Sequence, residues 1–335
     1  MAPGLRNFTV MSLGVESVAG TAVATTRQLY PDGTGMMSVD RMRTFHEGAN
    51  RGLRSNIRHA TQAGIGVQIP FRTADDVGVS FDELVIIGSQ LDGGNTGTGG
   101  AADKTWTFTP TQATAGTFDT YTVEVGDDVQ AWEVEYCFAQ AFRLSASREG
   151  LTQAEIDFVG RQPTKTTATS TSSNSGVKIP GQLWTLKHAT AQSGLTAASV
   201  QSNLLVGFDL AIDPGIRARW YQDGNLYYGQ AISCERLSGT LNLKVEGTST
   251  AVTQYYDKGA ADTMDFVRLK ATGPVLGGTF YSAQIDMAVF YEEVVPIAEE
   301  EDGVNIWNVS CRMAEDATWA NSTVWTIVNS IAALP

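Results

Sequence analysis

The chain has 335 residues, 42% of them hydrophobic and only 18% charged, with 34 glycines. At about 150 residues per domain this length predicts two domains, with one large β domain as the alternative. It is long enough to bury a core without disulfides or metals, and too apolar for disorder over its bulk. The net charge of −13 is uneven: residues 1–60 carry +3 and the remaining 275 carry −16. That balance excludes an ordinary duplex binder, whose affinity comes from Lys and Arg.

No run of 18 or more apolar residues occurs, which excludes a spanning helix. The opening Met1-Ala-Pro-Gly-Leu-Arg6 lacks the apolar centre of a secretory signal. Three distant cysteines, Cys137, Cys234 and Cys311, without a CxxC pair, predict neither a disulfide framework nor structural zinc. They read as core filling in a reducing compartment.

Residues 1–60 show no strong periodicity and hold seven arginines. They predict an extended arm, with Arg41, Arg43, Arg51, Arg54 and Arg58 as the candidates for contact with neighbouring subunits. From residue 66 the pattern is β. Gly66–Thr73 alternates, and Trp132–Phe138 does so more clearly, with Trp132, Val134, Tyr136 and Phe138 on one face and Glu133, Glu135 and Cys137 on the other. Leu241–Gly247 and Tyr281–Val289 follow the same rule, the latter with Tyr281, Ala283, Ile285, Met287 and Val289 inward. Short helices are expected at Leu195–Ser202 and Thr253–Gly259, and Asp82–Ile87 suits either type.

Two segments are of low complexity, Gly93–Gly100 and Thr164–Ser175. The first lacks the Lys-Ser/Thr ending of a phosphate loop and reads as a hairpin tip. The second divides the chain into a first β domain at 61–163, a linker at 164–180 and a second β domain at 181–335. A weak repeat accords with two tandem copies: Asp127 precedes Cys137 by ten positions, and Asp223 precedes Cys234 by eleven, each within strand-like segments. Two unrelated hairpins would give the same likeness.

Catalytic constellations are missing from the sequence. Histidine occurs only at His46, His59 and His188, with no HExxH and no GxSxG. Glu133 with Glu135, and Glu299–Asp302, are the carboxylate groups that a glycosidase reading would use; a solvated acidic face is the commoner explanation, and the 299–302 run, which ends at Gly303, reads as an exposed turn. The expectation is a structural or binding protein without enzyme activity, catalytic residues, cofactor or metal.

The stretch Gly14-Val-Glu-Ser-Val-Ala-Gly-Thr-Ala-Val-Ala-Thr-Thr-Arg-Gln-Leu-Tyr30 resembles the opening of tail tube proteins (major tail proteins) of long-tailed bacteriophages. Trp106-Thr-Phe-Thr-Pro110 and the acidic turn at Asp302-Gly303 resemble later parts of the same family, and the likeness runs loosely over the whole chain. It implies tail-tube-type β-sandwich or barrel domains with few short helices. Subunits would close into rings, either a hexamer or a trimer of doubled chains with pseudo-sixfold symmetry, and the rings would stack into a tube. The implied partners are other copies of the chain, a tape-measure protein, tail-terminator or baseplate proteins, and DNA in transit without specific binding, with no membrane. The implied setting is the virion tail, assembled in the bacterial cytoplasm. Glu133 and Glu135 are the lumen-facing candidates. Two other readings stand beside this one. The first is another tail or neck component, or a sugar-binding virion surface module using tryptophans, against which Trp132, Trp184 and Trp220 read as core. The second is a hydrolase with paired carboxylates.

Overall fold

The computed structural model describes residues 10–31, 37–39, 42–47, 53–61, 66–100, 102–169, 176–201, 204–223, 225 and 227–335, the side chains of 42–61 excepted. Strands account for 53% and helices for 10%, which makes the protein mainly β. The first half contains β1 (Val10–Val15), β2 (Arg27–Leu29), β3 (Ser38–Val39), β4 (Met42–Glu47), β5 (Leu53–Thr61), β6 (Val67–Arg72), the helix α1 (Glu83–Leu91), β7 (Thr98–Gly99), β8 (Lys104–Phe108), β9 (Tyr121–Gly126), β10 (Ala131–Ser147), β11 (Gln153–Gly160) and β12 (Pro163–Thr166). The second half contains β13 (Trp184–Ala189), β14 (Leu205–Asp213), β15 (Ile216–Arg219), β16 (Gln230–Ser233) and β17 (Ser238–Glu246). A helical segment follows, with a π turn at Val252–Tyr256 between Ser249–Ala251 and Asp257–Ala260. The chain then runs through β18 (Asp265–Leu276), β19 (Thr279–Glu301), β20 (Val304–Met313) and β21 (Thr323–Asn329).

One layer is a continuous antiparallel sheet in the order β3-β6-β11-β10-β14-β17-β20-β19. The long strands β10 and β19 pass out of this layer at their N-terminal ends. There β10 pairs with β9 and β12, and β19 pairs with β18 and β21. In β10 a bulge at Val134–Cys137 lies at the passage, and β19 changes partners at Val289; an inserted residue bends the strand and re-aims its side chains. The two layers meet in one core, where Phe142 of β10 stands edge-on to Trp325 of β21 and Trp184 of β13 edge-on to Phe208 of β14.

The bulge corrects the expected face of β10. Val134 and Cys137 enter the main core, while Tyr136, at φ 56°, and Phe138 join a second cluster with Tyr228 and Ile216. Strict alternation fails where one residue is inserted. Trp184 is buried as expected, Trp220 packs half-buried on Tyr228, and Trp132 is half-buried. Cys137 and Cys311 fill the core and Cys234 is exposed.

Residues 10–29 are not a free arm. Met11, Leu13 and Leu29 are buried, β1 pairs with β9 over six residues, and β2 pairs with β1. Ser12 is buried too, bonded to Thr25 at 2.9 Å, so the strand is covered on both faces and shows no alternation. The proposed linker is likewise tied in where it is described: Pro163–Thr166 pair with β10, Thr169 donates twice to Glu124, and Ile179 is fully buried. Strand pairs β10–β14 and β8–β21 cross between the halves, so the expected domains share one core.

Apart from β2, β7 and β8, which the second half lacks, a similar order of elements nevertheless occurs in both halves. In the first half, β1, β3, the β4–β5 hairpin, β6, a helix, β9, β10, β11 and β12 follow in chain order. In the second, β13, β14, the β15–β16 hairpin, β17, a helix, β18, β19, β20 and β21 do. Six antiparallel pairings match one for one, β1–β9 with β13–β18, β9–β10 with β18–β19, β10–β12 with β19–β21, β10–β11 with β19–β20, β6–β11 with β17–β20, and β3–β6 with β14–β17. The residues aligned by sequence were the wrong ones: Cys137 lies in β10, whose counterpart is β19, whereas Cys234 directly follows the β15–β16 hairpin.

Asp82–Ile87 resolves as helix. Ser80 and Glu83 form a reciprocal cap, with Ser80 N–H donating to Glu83 Oε2 at 2.6 Å and Glu83 N–H to Ser80 Oγ at 3.2 Å. Every residue of α1 is buried, which is why it shows no amphipathic period. Leu195 sits in a 3-10 turn at Gln192–Thr196 rather than a helix. A Cβ at Gly88 would lie 2.3 Å from the Phe108 ring. Gly88→Ala is therefore expected to destabilise by about 1–3 kcal/mol through overpacking, read as a lower urea midpoint at unchanged slope.

Candidate functional site: a concave polar sheet face and its open edges

On the eight-stranded layer, side chains alternate between core and solvent. Phe142, Leu144, Ile156, Phe158, Leu241, Leu243 and Val309 point inward; Arg143, Asp157, Asn242, Lys244 and Arg312 are exposed. The outer face is concave. One hollow of about 730 Å³ is lined by Ser145, Ser147, Asp209, Asn242, Lys244 and Glu293. A second, of about 560 Å³, is lined by Arg143, Glu155, Asp157, Asp213, Glu292 and Arg312.

The cations on this face are each held by carboxylates from another strand. Arg72 meets Glu155 at 3.2 Å and Asp157 at 2.8 Å, Lys244 meets Glu299 at 2.9 Å, Arg312 meets Glu292 at 3.2 Å, and Arg143 forks onto Asp209. The Lys244 ammonium holds the Glu299 carboxyl below its usual range. Exposed pairs of this kind contribute about 0–1 kcal/mol each, too little to explain the ladder as a stability device. Their larger effect is on the field: among the described residues each basic group lining the two hollows has an acid beside it, Arg148 with Glu301 at 3.3 Å included, and Glu293 adds negative charge.

Two edges of the layer are open. From Phe290 to Glu301, β19 pairs only with β20 among the described strands, and β3 pairs only with β6. The free stretch of β19 exposes Val295 and Ile297, and Ile297 holds φ 56°, an uncommon state for a β-branched residue.

The sequence-selected residues fall elsewhere. Glu133 and Glu135 lie before the β10 bulge, on the portion paired with β9 and β12, and line neither hollow. Glu135 is bound by Arg161 at 2.7 Å. Burial raises the Glu133 carboxyl, and the nearby Glu124 and Glu135 raise it further. Arg41 and Arg51 lie outside the described residues; Arg43 belongs to β4, and Arg54 and Arg58 to β5, with side chains outside the description. The residues that build the concave face were not selected, because alternating polar positions look alike in any half-buried strand; only the pairing order brings them together.

Glu16, central to the Gly14–Tyr30 stretch, has a structural task. Its buried carboxylate accepts from Gly20 N–H at 2.7 Å, Thr120 Oγ1 at 2.8 Å, Thr122 Oγ1 at 3.1 Å and Tyr136 N–H at 2.7 Å. Gly20 takes φ 78°, and a Cβ there would meet Arg161 at 2.9 Å. Arg161 in turn donates to the Gly20 carbonyl at 2.6 Å. The motif thus fastens the N-terminal segment to the β10 bulge. No family model matches the chain, and no curated protein matches it.

Proposed function

We propose that the chain is a structural subunit that closes into rings and stacks them into a tube through which DNA passes, as a phage tail tube does. The observation that carries this reading is the eight-stranded sheet with a concave, charge-paired, net acidic face and an open strand edge at either end. An open edge is a liability in a monomer and a joint in an assembly. A head-to-tail contact closes into a ring when its rotation closes. A duplex carries one phosphate charge per roughly 1.7 Å of axis; a lumen whose cations are all neutralised repels it and lets it slide. The resemblance of Gly14–Tyr30 and the mainly β sandwich-like fold support the same reading. The partners it brings are further copies of the chain, a tape-measure protein within the tube and terminator or baseplate proteins at its ends, in a virion tail.

Electron microscopy of the purified full chain in negative stain, with sedimentation velocity, tests this reading. Rings or tubes are expected; a monomer at every concentration overturns it. Asp157→Lys with Asn242→Lys, both exposed on interior strands of the layer and away from its open edges, is expected to leave assembly intact and to make the assemblies retain duplex DNA at low salt, where screening is weakest. Equal retention by variant and wild-type assemblies would remove this face from the lumen.

A further inference from the structure

The helix of the first half and the helical segment of the second stand at matching places in the order of strands, yet they are held in opposite ways. Every residue of α1 is buried. In Ser249–Ala260 only Ala251 and Tyr255 are buried, while Val252 and Tyr256 are exposed. Apolar burial therefore fastens α1, and the second segment depends on polar ties. Those ties converge on one place. Lys258 stands four positions past Gln254 and three past Tyr255, so the three share one side of the segment. Gln254 Nε2 bonds the Asp265 carboxylate, Lys258 Nζ reaches it at 2.8 Å, and the Tyr255 hydroxyl lies 2.9 Å from His188 Nε2. Beneath them the sheet supplies His188 from β13, Asp265 from β18 and Tyr291 from β19, whose hydroxyl donates to Asp265 at 2.6 Å. Gln254 and Tyr255 belong to the π turn, a rare geometry that recurs at functional sites.

One anion thus faces two groups able to carry positive charge. Lys258 holds it from the segment, and His188 faces it from the sheet with Nδ1 at 3.4 Å. We propose that Ser249–Ala260 is a latch worked by protons: on protonation His188 replaces Lys258 as the counter-ion of Asp265, and the segment detaches from the β18–β19 sheet while the rest of the fold stays closed. Two effects act together. The carboxylate gains a cation within the sheet, and the Lys258 ammonium, its side chain 22% exposed, is repelled by the imidazolium and returns to water. At Nε2 an acceptor becomes a donor, so Tyr255 can no longer donate there and a buried O–H is left unmet.

The other groups around His188 do not take the proton in its place. Burial pushes up the Tyr255 and Tyr291 hydroxyls and the Cys311 thiol of β20, which stay neutral across this range. Asp265, held below 3.8 by its bonds, stays ionised. In the closed form burial and the Lys258 charge oppose a proton on His188; in the open form the ring regains its ordinary value of 6.5. The open form therefore binds the proton more tightly, and acid favours opening.

Hydrogen exchange of the full chain between pH 7 and pH 5, corrected for the intrinsic pH dependence of exchange, tests the latch. Protection of Ser249–Ala260 is expected to fall by up to about tenfold per pH unit below 6.5, the limit for one proton. At every pH it should be lower, by roughly a hundredfold or more, than that of Phe142–Ser147, which pair with strands on both sides in the core. His188→Gln keeps a donor toward Asp265 and an acceptor toward Tyr255, and should make the segment's protection independent of pH. Lys258→Met leaves no cation to displace and should cut the slope below about threefold per unit; it decides the matter if the histidine variant does not fold. Flat protection in the wild-type chain, an unchanged slope in either variant, or equal protection of the segment and Phe142–Ser147 would overturn the latch.

Discussion

Glu16→Ala is expected to remove on the order of 4 kcal/mol of stability, the scale measured when one partner of a buried charged network is deleted. Four donors, from Gly20, Thr120, Thr122 and Tyr136, lose their shared acceptor at once. Each buried donor left unmet costs about 1–3 kcal/mol, reduced wherever water can enter the space. Glu16→Gln should cost less, because one carbonyl oxygen remains, though its amide N–H groups then confront donors. Urea unfolding of the two variants, with the order wild type, Gln, Ala in midpoint, checks this; an Ala variant within 1 kcal/mol of wild type (about a fivefold change in the folding equilibrium) would mean the network does not hold the segment. Val10–Val15 should lose its exchange protection first, since Glu16 is the residue that pins the end of β1 to the β10 bulge.

The second large effect concerns the second half of the chain, where Asp265 fastens the helical segment to the β18–β19 sheet. The carboxylate is fully buried and accepts from Lys258 Nζ at 2.8 Å and Tyr291 O–H at 2.6 Å, with Gln254 Nε2 also bonded. His188 Nδ1 lies 3.4 Å away, and its Nε2 is 2.9 Å from the Tyr255 hydroxyl. Burial holds His188 below its ordinary value of 6.5 against the pull of Asp265. The ring is therefore neutral and bonded at both nitrogens, Nδ1 as donor and Nε2 as acceptor. Burial by itself would raise the Asp265 carboxyl, but the bonds from His188, Lys258 and Tyr291 outweigh it and leave the group below 3.8.

Both shifts act in one direction. For His188 the unfolded chain takes up a proton first, so stability starts to fall as the pH drops through 6.5. The Asp265 contribution is complete above the unfolded carboxylate value near 3.8 and is lost as the pH falls through the lower folded value. Thermal unfolding should therefore show a loss between pH 7 and pH 5 that His188→Gln abolishes, and a second loss below pH 4 that persists in that variant. Asp265→Ala should lower stability at pH 7 by about 3–5 kcal/mol and release Ser249–Ala260 in hydrogen exchange. A pH profile identical in wild type and His188→Gln would exclude His188 as the first titrating group.

The sequence by itself determined the β class and most strand faces. Gly66–Thr73 and Leu241–Gly247 alternate because one side of each meets the core and the other meets water, and that contrast is written residue by residue; Tyr281–Val289 alternates too, although Asp286 and Ala288 on its second face are also buried, Asp286 against Arg268. Ala283, Ile285, Met287 and Val289 are all buried as the pattern requires. Where both sides are covered the contrast vanishes, and so β1 and α1 were illegible: their signal is the absence of any polar face. The tertiary structure decided the rest. Which strands are neighbours depends on pairings between residues more than a hundred positions apart, such as Trp106 with Ile327, and no local pattern encodes a partner. A single inserted residue at Tyr136 turned Cys137 into the core and left Glu133 and Glu135 off the concave face. The repeat was invisible for the same reason: it is kept in the order of pairings, which backbone hydrogen bonds preserve whatever side chains they carry, while the residues that could be aligned by eye belonged to unlike elements.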